Sequence, residues 1–120
     1  MLKILSNLRR SFSNALSGLF YAIRSERNLQ IELVAAFVVI VLILVLQVEK
    51  WEAVVLLLLV FTVIIMEILN TLVERLIDFI KPRVNAQVGV LKDLMAAAVF
   101  LAATMAAVVG TVIFWPYVFG

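Results

Sequence analysis

The sequence predicts an all-α integral membrane protein: an N-terminal amphipathic surface helix followed by three transmembrane helices. Three observations lead there. Of the 120 residues, 66% are hydrophobic and the mean hydropathy is +1.20. A soluble domain of this size has too little interior to hide that much apolar surface. The apolar residues fall into long runs parted by short polar connections, and the basic residues gather on one side of those runs. The length suits one membrane-embedded domain over residues 1–120.

Residues 2–27 form the expected surface helix. Leu5, Leu8, Phe12, Leu16, Leu19 and Ile23 recur at three- and four-residue steps and share one face. Asn7, Arg10, Ser11, Asn14, Ser17 and Ser25 lie on the other. A helix so divided, beside such hydrophobic neighbours, lies in the plane of the membrane surface. The opening "MLKILSNLRR" has no continuous apolar core ahead of its charges and does not read as a cleaved signal peptide.

The first span is expected over residues 29–48, with Leu33 to Leu46 unbroken in apolar character. "QVEKWEA" follows as a connection, and Trp51 suits the membrane–water boundary. The second span runs over 53–80. At ~1.5 Å per residue it is about 42 Å long, against a bilayer core of ~30 Å. Its last turns should project into water. "KPRVNAQVG" is the next break, with Pro82 stopping the helix. The third span is expected over 90–114, followed by "WPYVFG". It carries Ala98, Ala102, Ala106 and Gly110 at four-residue steps, a small-residue stripe that lets helices approach closely.

Lys3, Arg9, Arg10, Arg24 and Arg27 precede the first span, and Arg75, Lys81, Arg83 and Lys92 lie around the second connection. Only Lys50 sits on the other side. The positive-inside rule therefore places the N-terminus and the second connection in the cytoplasm. Net charge is only +2, so no nucleic-acid footprint is indicated. With no cysteine and no histidine, disulfides, thiol nucleophiles, cysteine–histidine zinc sites and histidine-based triads are all excluded. Acid–base chemistry falls to carboxylates, lysine or tyrosine.

Those carboxylates are patterned. In "MEILNTLVERLID" (66–78), taking Glu67 as zero, Asn70, Glu74 and Asp78 fall near about −60°, −20° and +20° on a helix. They form one stripe climbing from the membrane toward water. A carboxylate as deep as Glu67 costs roughly 2.5 kcal/mol or more in lipid and should face protein. Glu26 and Glu32 flank the entrance of the first span, and Lys92 and Asp93 open the third. The topology brings all eight residues to one cytoplasmic interface. Glu49 and Glu52, on the far side, read as solvated loop charges.

Several carboxylates together want a cation, and oxygen-only donors favour Mg²⁺, which uses one or two carboxylates plus substrate phosphates. A lysine beside them can pair with phosphate oxygens. An acid at the lipid boundary can take a proton from a lipid hydroxyl. These are the parts of phosphoryl transfer from a nucleotide to a lipid alcohol. Two other readings share the pattern: structural ion pairs between helices, and a small ion or proton pathway. A Walker P-loop and the soluble-kinase HRD and DFG motifs are missing from the sequence.

"EILNTLVERLID" resembles the signature of the prokaryotic diacylglycerol kinase family, Glu-x-x-Asn-(Ser/Thr)-x-x-Glu-x-x-x-Asp, through Glu67, Asn70, Thr71, Glu74 and Asp78. "KDLMAAAV" is similar to the family's Lys-Asp segment through Lys92 and Asp93. "SERNLQIE" is similar to the segment before the first span, with Glu26 and Glu32 correctly spaced. The resemblance covers nearly the whole chain. It implies a small three-span membrane enzyme, a homotrimer with active sites shared between subunits. The implied reaction is Mg²⁺-dependent transfer of the ATP γ-phosphate to a lipid hydroxyl. It implies Glu67 as general base, Glu26 and Glu74 as Mg²⁺ ligands, and Asn70, Lys92 and Asp93 as nucleotide contacts. Glu32 and Asp78 match supporting positions. Leu72 stands where the family usually has alanine, and "KPRVNAQVG" is more basic than usual and lacks a common histidine. Undecaprenol kinases share the motif set. "SERN" resembles their version, whereas "YVFG" and Glu32 resemble the diacylglycerol kinases, so diacylglycerol is the expected acceptor.

Overall fold

The computed structural model describes residues 1–80 and 86–120, and these are helical almost throughout. Four helices follow in order: α1 (Leu2–Ser25), α2 (Arg27–Leu46), α3 (Lys50–Ile80) and α4 (Ala86–Phe119). By length and composition, α2, α3 and most of α4 (Gln87–Phe119) can each cross a membrane. The expected stop at Pro82, with Lys81 and Arg83, lies outside the described residues.

Each boundary has a local cause. Between α1 and α2 only Glu26 leaves the helical region, at φ −117° and ψ 113°. The bend is nonetheless fully bonded: Glu26 N–H donates to the Ala22 carbonyl at 3.0 Å, and its own carbonyl accepts from Gln30 N–H at 3.2 Å. The Gln30 side chain reaches back to the Ile23 carbonyl at 2.8 Å. The α2 C-terminus closes on Gln47 in the left-handed conformation, φ 52° and ψ 52°.

α3 begins at Lys50, earlier than expected, because Glu52 acts as a cap. Its Oε1 accepts from the Glu49 N–H at 3.1 Å, satisfying one of the donors a helix start leaves open. The far-side acids are accordingly not simple solvated charges. The Tyr117 hydroxyl donates to Glu52 Oε1, and Trp51 Nε1 donates to Glu49 Oε2 at 2.6 Å. This cluster ties the end of α4 to the α2–α3 turn.

α4 is longer than expected at both ends. It runs through "WPYVF", with Pro116 inside the helix. Proline removes one backbone hydrogen bond, but so near a helix end little of the ladder follows it. Trp115 and Phe119, one turn apart, stack with ring centroids 4.5 Å apart.

α3 is the central element. It packs most extensively on α4, then on α2, while α1 meets α2 at the bend. The molecule is a thin slab, 55 × 49 × 22 Å. Its buried apolar residues are few and mostly small or at helix seams, among them Leu29, Ala36, Leu56, Leu59, Ala102 and Ile113. Phe37, Leu44, Phe100 and Leu101 are each about two-thirds exposed (65–71%). That surface needs lipid or further protein against it.

Candidate functional site

The polar end of α3 grades from buried to exposed as its side chains climb the helix. Glu67 is 3% exposed and Thr71 5%. Asn70 and Glu74 are half-buried, and Asp78 is exposed. The α-helical spacing puts Asn70 and Glu74 one turn apart, and the Asn70 amide donates to Glu74 Oε1 at 3.3 Å. Thr71 satisfies its own hydroxyl by donating to the Glu67 carbonyl at 3.1 Å. This leaves the Glu67 side chain to its neighbours on α2.

Those neighbours include Glu32, which interacts electrostatically with Glu67, and the Asn28 amide, which with that of Asn70 is near enough to act on it. Glu26 and Glu74 add their charges from farther off. Glu32 Oε2 is buried and has no hydrogen-bond partner among the described residues, so an acceptor stands open at this point.

Below Glu32 a cavity of about 290 Å³ opens among Ala35, Ala36 and Val39 of α2, Val60, Val63 and Ile64 of α3, and Ala103, Ala106 and Ala107 of α4. A second cavity, of about 410 Å³, shares Val39, Ala106 and Ala107 and continues past Gly110 to Phe119. Together they form an apolar groove between α2 and α4, headed by one carboxyl group. Ala106 and Gly110 of the small-residue stripe line it, and Ala102 is buried.

At the α1–α2 bend, Glu26 Oε1 accepts from Arg75 Nη2 at 2.8 Å. Arg75 also lies over the Tyr21 ring, 6.0 Å from its centroid. Arg75 and Asn28 were not singled out by the sequence pattern. Their signal was present, because Asn28 is one turn before Glu32 and Arg75 follows Glu74 directly.

Among the described residues no hydrogen bond or ion pair links Lys92 or Asp93 to the acids. Lys92 and Asp93 are exposed on α4. Leu91, Leu94 and Met95 line a shallow pocket together with Val73, Leu76 and Ile77 of α3, and Leu91 and Leu94 are themselves exposed. Among the described residues no three acids converge as a ready-made metal cage.

Comparison with known proteins gives a consistent result. The family model "Prokaryotic diacylglycerol kinase" matches residues 13–114. The chain is similar to an undecaprenol kinase of Bacillus subtilis (strain 168), 30% identical over 93% of this chain and 91% of that protein. It is also similar to a diacylglycerol kinase of Synechocystis sp. (strain ATCC 27184 / PCC 6803 / Kazusa), 33% identical over 95% of this chain. This chain spans 66% of that second relative's length.

Proposed function

The chain belongs to the prokaryotic diacylglycerol kinase family, and from that premise we propose that it transfers the γ-phosphoryl group of ATP to the hydroxyl of a membrane lipid. The observation that carries this reading is the buried Glu67 carboxyl. It is electrostatically coupled to Glu32, which lines the head of an apolar groove. A lipid alcohol has the matching shape: one hydroxyl donor on an apolar chain. The groove accommodates the chain, and the open Glu32 Oε2 offers the hydroxyl an acceptor.

Glu67 is the general base. As the lipid oxygen attacks the γ-phosphorus, its proton passes to Glu67, the new O–P bond forms, and the bond to the β-phosphate oxygen breaks, releasing ADP. Glu32 positions the hydroxyl. Asn70 keeps Glu74 oriented and, with Lys92 and Asp93, contacts the nucleotide. Asp78 supports the water-facing end. Such a transfer depends mainly on position and charge neutralisation. The donor set suits Mg²⁺, since Glu26 and Glu74 offer only oxygen, and this ion commonly takes one or two carboxylates and completes its shell with phosphates and water. When bound it neutralises charge on the transferred group.

Lys92 and Asp93 are exposed and make no ion pair or hydrogen bond with the acids among the described residues, which favours a homotrimer in which a neighbouring subunit brings them to the site. Its location is the bacterial cytoplasmic membrane, with α1 lying on the cytoplasmic surface and the N-terminus in the cytoplasm, as the basic residues argue. Diacylglycerol is the acceptor proposed, the product being phosphatidic acid. Undecaprenol is the second reading, favoured by "SERN" and by the match along 91% of the undecaprenol kinase. The test is a side-by-side assay in bilayers, with Mg-ATP and each lipid at equal mole fraction. Preferential phosphate incorporation into diacylglycerol supports the first reading, and preference for undecaprenol replaces it with the second.

A further inference from the structure

Arg75 and Glu26 form the only ion pair among the described residues, at 2.8 Å. The pair joins α3 to the α1–α2 bend, beside the acids Glu67 and Glu74. The guanidinium thus stands where positive charge is needed. We propose that Arg75 is a resident counter-ion for Glu26, one that a divalent cation must displace before it can bind there. The proposal rests on the reading of Glu26 as a metal ligand and adds a competitor for that ligand.

Four features make Arg75 displaceable rather than a fixed clamp. Its side chain is 46% exposed, whereas that of Glu26 is 18% exposed, so the arginine can leave toward water while the glutamate stays. The bend holding Glu26 is bonded through its own backbone N–H and carbonyl. Its position therefore does not depend on the ion pair. A second carboxylate, Asp78, lies one turn further along α3 and within electrostatic range of Arg75, which gives the released guanidinium a partner. The Tyr21 ring offers it a face at 6.0 Å. A planar guanidinium can exchange between such partners without losing its charge.

A counter-ion and a clamp predict opposite signs. Removing a counter-ion leaves Glu26 more negative and strengthens cation binding. Removing a clamp loosens the α1–α2 bend and weakens it. The experiment is titration of the reconstituted protein with Mn²⁺, as a paramagnetic probe of the divalent site, without nucleotide. Free Mn²⁺ is followed by electron paramagnetic resonance. Arg75→Gln should bind Mn²⁺ about three- to fivefold more tightly, the size of an exposed ion pair. Arg75→Lys should fall near the wild type. Unchanged or weaker binding in Arg75→Gln, alongside weakened binding in Glu26→Gln, overturns the proposal and leaves the metal-ligand reading standing. Unchanged binding in Glu26→Gln removes Glu26 as a ligand, and the proposal with it. Should Arg75→Gln fail to assemble, Arg75→Met carries the same test with the same expected sign.

Discussion

At the scale of single residues, the account turns on why a carboxylate is buried at position 67. Glu67 is buried, and the charged groups acting on it are other acids, Glu74 and Glu26, with Glu32 coupled to it as well. Such an arrangement works against stability, which is why it points to chemistry. Glu67→Gln keeps the shape and removes the base. It should lower phosphoryl transfer by roughly 10²- to 10⁴-fold, with thermal stability equal to or above the wild type because one of the clustered acids is gone. A loss of assembly would show instead that the carboxylate is structural. On the opposite side of the molecule, Tyr117 donates to Glu52. Tyr117→Phe should cost about 1 kcal/mol, read as an earlier unfolding transition, with activity per folded molecule unchanged.

At the scale of elements, the groove between α2 and α4 and the turn before α3 each make a claim. Ala106 lines both parts of the groove. Ala106→Leu should fill it and raise the KM for the lipid roughly tenfold, leaving the KM for ATP unchanged. A rise in both would place the lipid chain elsewhere. Gln47 holds a left-handed conformation that costs a side chain about 1 kcal/mol. Gln47→Gly should therefore raise stability, measured by denaturation in mixed micelles. Much at this scale was legible in the sequence. The polar stripe from Glu67 to Asp78 needed only helical periodicity and a length exceeding the bilayer. Three things were not legible. The α3 start depends on Glu52 capping Glu49, a contact that also involves Tyr117 from the far end of the chain. The passage of α4 through Pro116 runs against the usual local rule for proline. The exposure of Lys92 and Asp93 depends on how α4 is rotated against α3, a tertiary property that helical periodicity does not carry.

At the scale of the whole molecule, a slab 22 Å thick with two-thirds-exposed phenylalanines is incomplete by itself. Lipid covers part of that surface, and neighbouring copies are proposed to cover the rest. If Glu67 of one subunit works with Lys92 of another, two inactive variants should rescue each other. Subunits carrying Glu67→Gln, co-assembled with subunits carrying Lys92→Ala, should regain a measurable fraction of wild-type activity. No recovery in confirmed mixed oligomers would confine each site to one chain. The central claim, phosphoryl transfer to a lipid hydroxyl through Glu67, is tested most directly by labelled transfer in bilayers. Wild-type protein and Glu67→Gln are each supplied with γ-labelled Mg-ATP and both lipid alcohols. The account predicts labelled lipid from the wild type and almost none from the variant. No labelled lipid from intact wild-type protein, or equal labelling by the variant, would contradict it.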